Sequence, residues 1–305
     1  SDLAAMEYGD AQLRATDYRV EKTVRVYARN GAVLNGAGFK KSKLLADTGS
    51  FSVLVFYTDQ VSGTGVPMSS YGVELSGFAM DTPGSVERTG GYYIEFEERG
   101  IDCRFTDLML DNFYSGIKAT AIAYTWFTRI QFQGTRRVTT GGRMLEFTSS
   151  STAGLYNPDA AATGAKPTDV HVTDCQFNSN GVMVDPYADA IFIGCADGIY
   201  FDNCHIRGAQ HSVRFETAQL PNRTVLSSVH FSSCYFDQVT EGHAIFGGYG
   251  NDVSYLPDGA TVSTAFKFRD IKFNGCRFRE AQGANASIYP SMTQGYVHRV
   301  VITDC

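Results

Sequence analysis

Charged side chains are scarce in this chain, and several patterns that mark common protein classes are missing. Asp, Glu, Lys and Arg make up 19% of the 305 residues, aromatic residues reach 13%, and glycines number 31. This balance favours strands and turns over long charged helices. The net charge of −6 argues against a nucleic-acid-binding protein, which normally needs a basic face. No apolar run approaches the ~18 residues that span a membrane, and no charged-then-apolar signal segment opens the sequence. We therefore expect neither nucleic-acid binding nor membrane insertion.

Signatures of metal and nucleotide binding are missing as well. The seven cysteines include no CxxC pair, Cys195 and Cys204 are too far apart for zinc spacing, and no histidines pair at metal spacing. The glycines Gly36 and Gly38 lack the third glycine and the downstream acid of a dinucleotide loop. We expect no metal and no cofactor.

A short unit recurs along the second half of the chain. Each copy alternates apolar and polar residues, then has one small or polar residue, a cysteine, a variable residue and an apolar residue. The copies read VHVTDCQF from Val170, IYFDNCHI from Ile199, VHFSSCYF from Val229, IKFNGCRF from Ile271 and VVITDC from Val300. Alternation with period 2 predicts two short strands joined by a one-residue bend. A spacing of 29 to 42 residues between copies is typical of a solenoid.

Weaker copies precede these, and the cysteines fall in one column. The weaker copies read VELSGFAM from Val73, LMLDNFYS from Leu108 and IQFQGTRR from Ile130, which puts Phe78, Phe113 and Thr135 in the cysteine position. If successive coils stack, the repeated cysteines lie about 4.8 Å apart. Buried free cysteine behaves as a small hydrophobic residue, so we expect a column of free thiols and a reducing compartment. The column comprises Cys175, Cys204, Cys234, Cys276 and Cys305.

The units resemble the "IxNCxF" rungs of pectate-lyase-like proteins, and Thr16–Leu45 resembles the first coil of bacteriophage tailspike β-helices. The resemblance implies an all-β fold, a right-handed single-stranded parallel β-helix, over residues 21–305. Residues 1–20 are expected to form an N-terminal cap segment, with a short helix within Ser1–Leu13 that covers the open end. Because Cys305 falls inside a repeat, we expect a longer parent chain.

The resemblance also implies a function and partners. A tailspike of this kind binds a bacterial surface polysaccharide, either capsule or lipopolysaccharide O-chain, and cleaves it as an endo-glycosidase. It implies a homotrimer in the virion tail that is made in the host cytoplasm, acts at the bacterial surface and joins other tail proteins through segments absent from this sequence. A non-catalytic adhesin or structural tail protein, a polysaccharide lyase and a secreted pectin-type enzyme remain alternatives. The calcium-binding acids of pectate lyases and the acidic set of polygalacturonases are not recognisable, which disfavours pectin as substrate.

In such folds the ligand lies along the strand that follows the cysteine-containing strand. Here those strands are predicted at Arg143–Phe147, Ile191–Cys195, Ser212–Glu216, His243–Gly247 and Ala286–Tyr289. Alternation turns Glu146, Arg214 and Glu216 toward solvent. Coils one or two apart place carboxyl groups ~5 or ~10 Å apart, and glycoside hydrolysis needs two of them at ~5–9.5 Å.

We expect Glu216 and Asp185 to be the catalytic acid and base, with Glu146 as substitute. Each of these acids has the alternative interpretation of a solvated surface carboxylate. In a lyase, His211 or His243 would serve as the base. The expected substrate-binding residues comprise an arginine that would bind a sugar acid, tyrosines that would stack on sugar rings, and polar residues of the groove. They are Arg214, Tyr187, Asp189, His211, Asp237, Glu241, Tyr249 and Tyr255.

Overall fold

The structure of the protein is a computed structural model in which stacked parallel strands form three sheets. It describes residues 10–28, 31–46, 49–57, 70–83, 88–97, 99–134, 142–148, 166–179, 187–217, 226–239, 242–248, 268–281, 288–290 and 297–305. These residues contain thirty strands and no helix. No helix in the described ranges is long and apolar enough to cross a membrane.

Successive coils contribute strands to the three sheets in turn, and two coils contribute two short strands each to the first sheet. The first sheet contains β1 (Asp10–Gln12), β4 (Ala32–Asn35), β7 (Ser70–Tyr71), β8 (Val73–Ser76), β11 (Gly100–Ile101), β12 (Arg104–Thr106), β15 (Ala123–Thr128), β18 (Thr168–Thr173), β21 (Ala196–Asp202), β24 (Leu226–Ser232), β27 (Phe268–Asn274) and β30 (Val297–Thr303). The second sheet contains β2 (Asp17–Val20), β5 (Lys43–Ala46), β9 (Ala79–Asp81), β13 (Met109–Asp111), β16 (Gln131–Gln133), β19 (Gln176–Asn178), β22 (His205–Arg207), β25 (Tyr235–Val239) and β28 (Arg277–Ala281). The third sheet contains β3 (Val24–Tyr27), β6 (Leu54–Tyr57), β10 (Tyr92–Phe96), β14 (Ser115–Thr120), β17 (Gly142–Thr148), β20 (Tyr187–Ile193), β23 (His211–Thr217), β26 (Gly242–Gly248) and β29 (Ile288–Pro290). The fold is a right-handed parallel β-helix, as predicted.

The predicted bend between the first and second strands of a coil is a single residue with a left-handed backbone. Positive φ recurs at this position in successive coils, at Gly77, Asp107, Arg129, Asp174, Asn203, Ser233, Gly275 and Asp304. Glycine adopts this conformation freely, and Asp and Asn tolerate it better than other residues. The small or polar residue in each sequence unit therefore has a backbone role.

The thiol column is confirmed as part of the core for four of its five predicted members, whereas Cys305 is exposed. Cys175, Cys204, Cys234 and Cys276 are at most 2% exposed, and the described cysteines form no disulfide. Hydrogen bonding to the Cys175 thiol, together with burial, raises the pKa of Cys204. The buried cysteines therefore stay in the thiol form, which is the unreactive one.

Thiol titration checks this arrangement. With 5,5′-dithiobis(2-nitrobenzoate), we expect the exposed Cys305 to react quickly in the native protein and the six buried cysteines to react only after denaturation. Rapid reaction of several thiols without denaturant would contradict the burial of the thiol column.

The prediction of the weaker copies was wrong by one strand in two places. Leu108 and Ile130, predicted to start a first strand, instead follow the bend and occupy the column of Cys175, while Arg104–Thr106 and Ala123–Thr128 form the first strands. The first and second strands of a coil both read as short alternating apolar runs. Alternation therefore cannot distinguish them where no cysteine marks the position.

The N-terminal prediction also needs correction. Asp10–Gln12 is a strand that pairs with Ala32–Asn35, and Asp17–Val20 pairs with Lys43–Ala46. The solenoid thus already includes part of the predicted helix and cap segment, because short strands there complete the hydrogen bonding of the next coil. Residues 1–9 lie outside the described ranges.

Candidate functional site

A row of charged and aromatic side chains follows the outer face of the third sheet. The strand register aligns Glu95, Lys118, Glu146, Phe192 and Arg214 on five successive strands. The Lys118 ammonium lies 2.9 Å from the Glu95 carboxylate, and both side chains are partly exposed. The row therefore has alternating charge, which stabilises neighbouring strands and leaves polar groups on the surface.

Arg143 connects two strands of this face. The pairing of β17 with β20 shifts between Gly142 and Arg143, so that Ala188 is an extra residue and Asp189 lies opposite Arg143. The Arg143 guanidinium contacts Glu146 Oε1 at 3.0 Å and Asp189 Oδ2 at 3.2 Å. It also lies 3.4 Å from the ring centroid of Phe192. β-Bulges often re-aim side chains beside functional sites, and this one accompanies a charged cluster.

Asp189 is fully buried and uses both carboxylate oxygens. Its Oδ2 binds Arg143, and its Oδ1 lies 2.8 Å from Nδ1 of His211, which is 7% exposed. A carboxylate at this distance fixes the proton on Nδ1 and the orientation of the ring. The Asp189–His211 pair thus has the arrangement of an oriented imidazole base.

Tyr92 completes the cluster from the neighbouring part of the sheet. Its hydroxyl donates a 2.7 Å hydrogen bond to Glu146 Oε2, and the Lys118 ammonium lies 5.6 Å from its ring centroid. Burial, followed by the charge of Glu146, raises the pKa of Tyr92, so the phenol stays protonated as a donor. We call Tyr92, Arg143, Glu146, Asp189 and His211 the third-sheet network.

The network holds two carboxylates at a fixed separation. Because one guanidinium group contacts both, oxygens of Glu146 and Asp189 lie within roughly 8 Å of each other. Glycoside hydrolases place their two carboxyl groups ~5–9.5 Å apart. Glu146 is only 5% exposed and Asp189 is 0% exposed, whereas Arg143, Lys118 and Glu95 keep part of their side chains exposed. The described part of the face is therefore best suited to positioning a ligand.

Three predicted site residues lie together, but not as predicted. Glu146 occupies an outward position, yet Tyr92 and Arg143 cover it, and Asp189 and His211 are buried rather than lining an open groove. Arg214 is half-buried in the outer row. Asp237 lies on the second sheet, apart from these residues of the third sheet.

The remaining predicted residues are described in part or lie outside the described residues. The backbone of Glu216 pairs with Gly247, and Tyr187 begins β20, but their side chains lie outside the described atoms. Asp185, Glu241, Tyr249 and Tyr255 lie outside the described ranges. Sequence reasoning missed Arg143, Tyr92 and Phe192. The spacing of Arg143 and Glu146 on one strand was a usable signal for the first, whereas the other two needed the register between coils.

Within the described residues, no group of three or more His, Cys, Asp and Glu side chains could hold a metal ion.

His243, the other candidate base, is fully buried between the second and third sheets. Its Nε2 donates to the Arg279 carbonyl at 2.9 Å, so its Nδ1 accepts from the Ser212 hydroxyl at 3.1 Å. Both ring nitrogens are therefore occupied by structural hydrogen bonds.

Stability is expected to fall in mild acid partly through His243. Burial lowers its folded pKa below the unfolded value of about 6.5, against the opposing effects of the Arg279 carbonyl and Asp237. Its contribution to the free energy of unfolding is complete above that unfolded pKa and is lost as the pH falls toward the folded pKa. Urea midpoints at pH 7 and pH 5 should therefore differ less in His243→Gln than in the original protein. Equal differences in the two proteins would contradict this.

Comparisons with known proteins support the fold. No protein-family model and no curated protein sequence matches the chain. Among solved structures, a mutant tailspike protein of Escherichia coli bacteriophage HK620 is similar over 96% of this chain and 50% of its own, with a TM-score of 0.63 and 10% identity. PfbA, a surface adhesin of Streptococcus pneumoniae, is similar over 99% of this chain and 72% of its own, with a TM-score of 0.58 and 14% identity. An HK620 tailspike mutant in complex with a hexasaccharide has a TM-score of 0.53 and 10% identity, over 94% of this chain and 49% of its own.

The chain spans about half the length of the tailspike proteins that it matches. At these identities the likeness concerns the fold alone. The chain has the right-handed parallel β-helix fold that is found in phage tailspikes and in a bacterial surface adhesin.

Proposed function

We propose that this β-helix is the body of a bacteriophage tailspike that binds a bacterial surface polysaccharide on the third sheet and hydrolyses it. The observation that carries the proposal is the third-sheet network, in which a bulge brings two carboxylates onto one arginine beside an outer row of charged and aromatic residues. Such a face offers hydrogen bonds and charge to an extended glycan. The fold neighbours, which include a tailspike crystallised with a hexasaccharide, support the choice of ligand.

In this proposal Glu216 and Asp185 remain the acid and base. Glu216 lies two residues beyond Arg214 on β23, and Asp185 lies four residues before Asp189, so both belong to strands or segments that adjoin the network in sequence. Glu146 is the substitute, since Arg143 and Tyr92 hold it in one orientation. Arg143 acts as a positioning residue. A homotrimer in the virion tail is part of the same proposal, and light scattering would measure its mass.

A polysaccharide lyase is the second candidate, and the Asp189–His211 pair is the observation that favours it. A lyase removes a proton beside a uronate carboxylate, and an imidazole oriented through Nδ1 is a suitable base. A non-catalytic adhesin is the third candidate, because the fold also occurs in the adhesin PfbA.

Incubation with a panel of capsular polysaccharides and lipopolysaccharides separates the three. New reducing ends without absorbance near 235 nm indicate hydrolysis, new absorbance indicates a lyase, and retention of a polysaccharide with neither signal indicates an adhesin. Absence of any retained or cleaved polysaccharide across the panel would contradict the proposed function.

Under the hydrolase proposal, Glu216→Gln and Asp185→Asn each lower the rate of reducing-end formation by about 100-fold or more, because each removes one proton-transfer group. Glu74→Gln is the matched control, since Glu74 is a partly exposed acid on the first sheet, and it should leave the rate unchanged. If both variants retain full rate while Glu146→Gln loses it, the assignment of the acid and base is wrong.

A further inference from the structure

Two buried polar atoms on the second sheet have no hydrogen-bond partner within the described part of the chain. They are Nε2 of His205 and Oδ1 of Asp237, and Asp237 is only 6% exposed. A buried polar atom without a partner is energetically unfavourable, so few are retained in folded proteins. Two of them on neighbouring strands indicate a place where a ligand supplies the missing hydrogen bonds.

The strand register places these residues in a compact outward array. One row of it aligns His205, Tyr235 and Arg277, and the next row aligns Arg207, Asp237 and Arg279. Adjacent strands lie about 4.8 Å apart, so the array extends over about 10 Å along the solenoid, which is the size of one or two sugar rings. We call these six residues the second-sheet array.

The array is cationic and partly exposed. Arg207 and Arg279 lie opposite Asp237 on the adjacent strands, and Arg277 and Arg279 are exposed. Burial lowers the pKa of His205, although Asp237 partly opposes this, so the ring is neutral near pH 7. The His205 and Tyr235 rings stack at 5.0 Å, and Arg207 Nε donates to Gln238 Oε1 at 2.9 Å, which fixes two edges of the array.

These groups specify the chemistry of a ligand. Asp237 Oδ1 requires a hydrogen-bond donor, and a hydroxyl group is such a donor. His205 Nε2 is likewise satisfied by a hydroxyl group, which can donate or accept. The exposed guanidinium of Arg277 favours a carboxylate, to which it can form two parallel hydrogen bonds. A molecule with neighbouring hydroxyls and a carboxylate is a sugar acid.

We propose that the second-sheet array is a further carbohydrate site that takes a uronate unit, with a hydroxyl group on Asp237 and the carboxylate on Arg277. The proposal depends on the proposed function only in that the ligand is a sugar. The second-sheet array lies on a different sheet from the third-sheet network, so the two sites can be tested separately.

The test is binding of glucuronate and of glucose, its neutral counterpart, followed by NMR titration of the whole chain. Glucuronate should bind saturably and more tightly than glucose. Arg277→Gln should weaken glucuronate binding about 10-fold, which corresponds to the loss of one charge-assisted hydrogen bond, and should leave glucose binding unchanged. Asp237→Ala should weaken both sugars, because it removes the Oδ1 acceptor, which has no partner within the described residues. Its thermal midpoint is measured alongside, so that a loss of folding is distinguished from a loss of binding.

Arg104→Gln is the matched control, since Arg104 is an exposed arginine of the first sheet, and it should leave both affinities unchanged. Absence of saturable glucuronate binding would mean that only water satisfies His205 and Asp237, and would overturn the proposal. Equal weakening by Arg104→Gln and Arg277→Gln would overturn it too. If Arg277→Gln still cleaves the polysaccharide, the proposed function stands even where the uronate site on the second-sheet array fails.

Discussion

Replacing Arg143 by methionine is expected to lower the free energy of unfolding by about 3–5 kcal/mol, because the carboxylates of Glu146 and Asp189 lose the cation that neutralises them. Asp189 has no exposed surface through which water could replace Arg143, and His211 contacts only one of its oxygens in the network. The measurement is chemical denaturation followed by circular dichroism.

Arg25→Met is the matched control. Arg25 forms a two-pronged ion pair with Glu97, but both side chains are well exposed, and exposed ion pairs contribute about 0–1 kcal/mol. The triple variant with Arg143→Met, Glu146→Gln and Asp189→Asn should recover part of the loss, since it carries no uncompensated charge. If Arg143→Met costs no more than Arg25→Met, the network does not function as a buried ion cluster.

Replacing Phe231 by alanine is expected to cost about 3–5 kcal/mol as well, through a cavity in the centre of the solenoid. Phe231 is fully buried and stacks on Phe201 at 4.5 Å and on Phe273 at 5.0 Å, in the coils on either side. The ring also meets Phe215 and Phe236 edge-on, so five rings from several coils share one packing unit. The loss follows from lost contacts on all sides of the removed ring, since the stacked strands cannot close over it.

Denaturation midpoints of Phe231→Ala, Phe231→Leu and Tyr71→Ala test this. Phe231→Leu keeps most of the apolar volume and should cost clearly less than Phe231→Ala. Tyr71 is 44% exposed, and its replacement should change stability by no more than about 0.5 kcal/mol. A cost for Phe231→Ala similar to that of Tyr71→Ala would contradict the close packing of Phe231 between Phe201 and Phe273.

The coils that carry the cysteine could be predicted closely, and the earlier ones less so. Units that start at Val170, Ile199 and Val229 became strands of the first sheet in mutual register, with the left-handed bend where a small or polar residue stands. At Leu108 and Ile130 the unit was placed one strand too late. The first and second strands of a coil have the same alternation, and the cysteine was the only residue that distinguished them.

The candidate site was accessible to sequence reasoning only in part. Alternation correctly put Glu146 on the outer side of its strand, but it could not reveal that Tyr92, 54 residues away, covers it. Nor could it place Asp189 opposite Arg143, since that depends on a one-residue bulge between strands that a long stretch of sequence separates. The position of Asp237 on the second sheet, apart from Glu146 and Arg214 on the third, also could not be read from the sequence. Asp237 precedes the corner between the second and third sheets, and the position of that corner does not follow from alternation.

The sequence by itself determined the architecture of this protein, because a parallel β-helix repeats one local pattern and each coil contacts only its neighbours. The recurring apolar pair, the bend residue and the cysteine each specify a backbone conformation or a core position within a few residues of themselves. The tertiary structure alone decided which polar side chains meet. Contacts such as those of Arg143 with Asp189, or of Tyr92 with Glu146, depend on the register between coils, and the packing of one coil on the next sets that register.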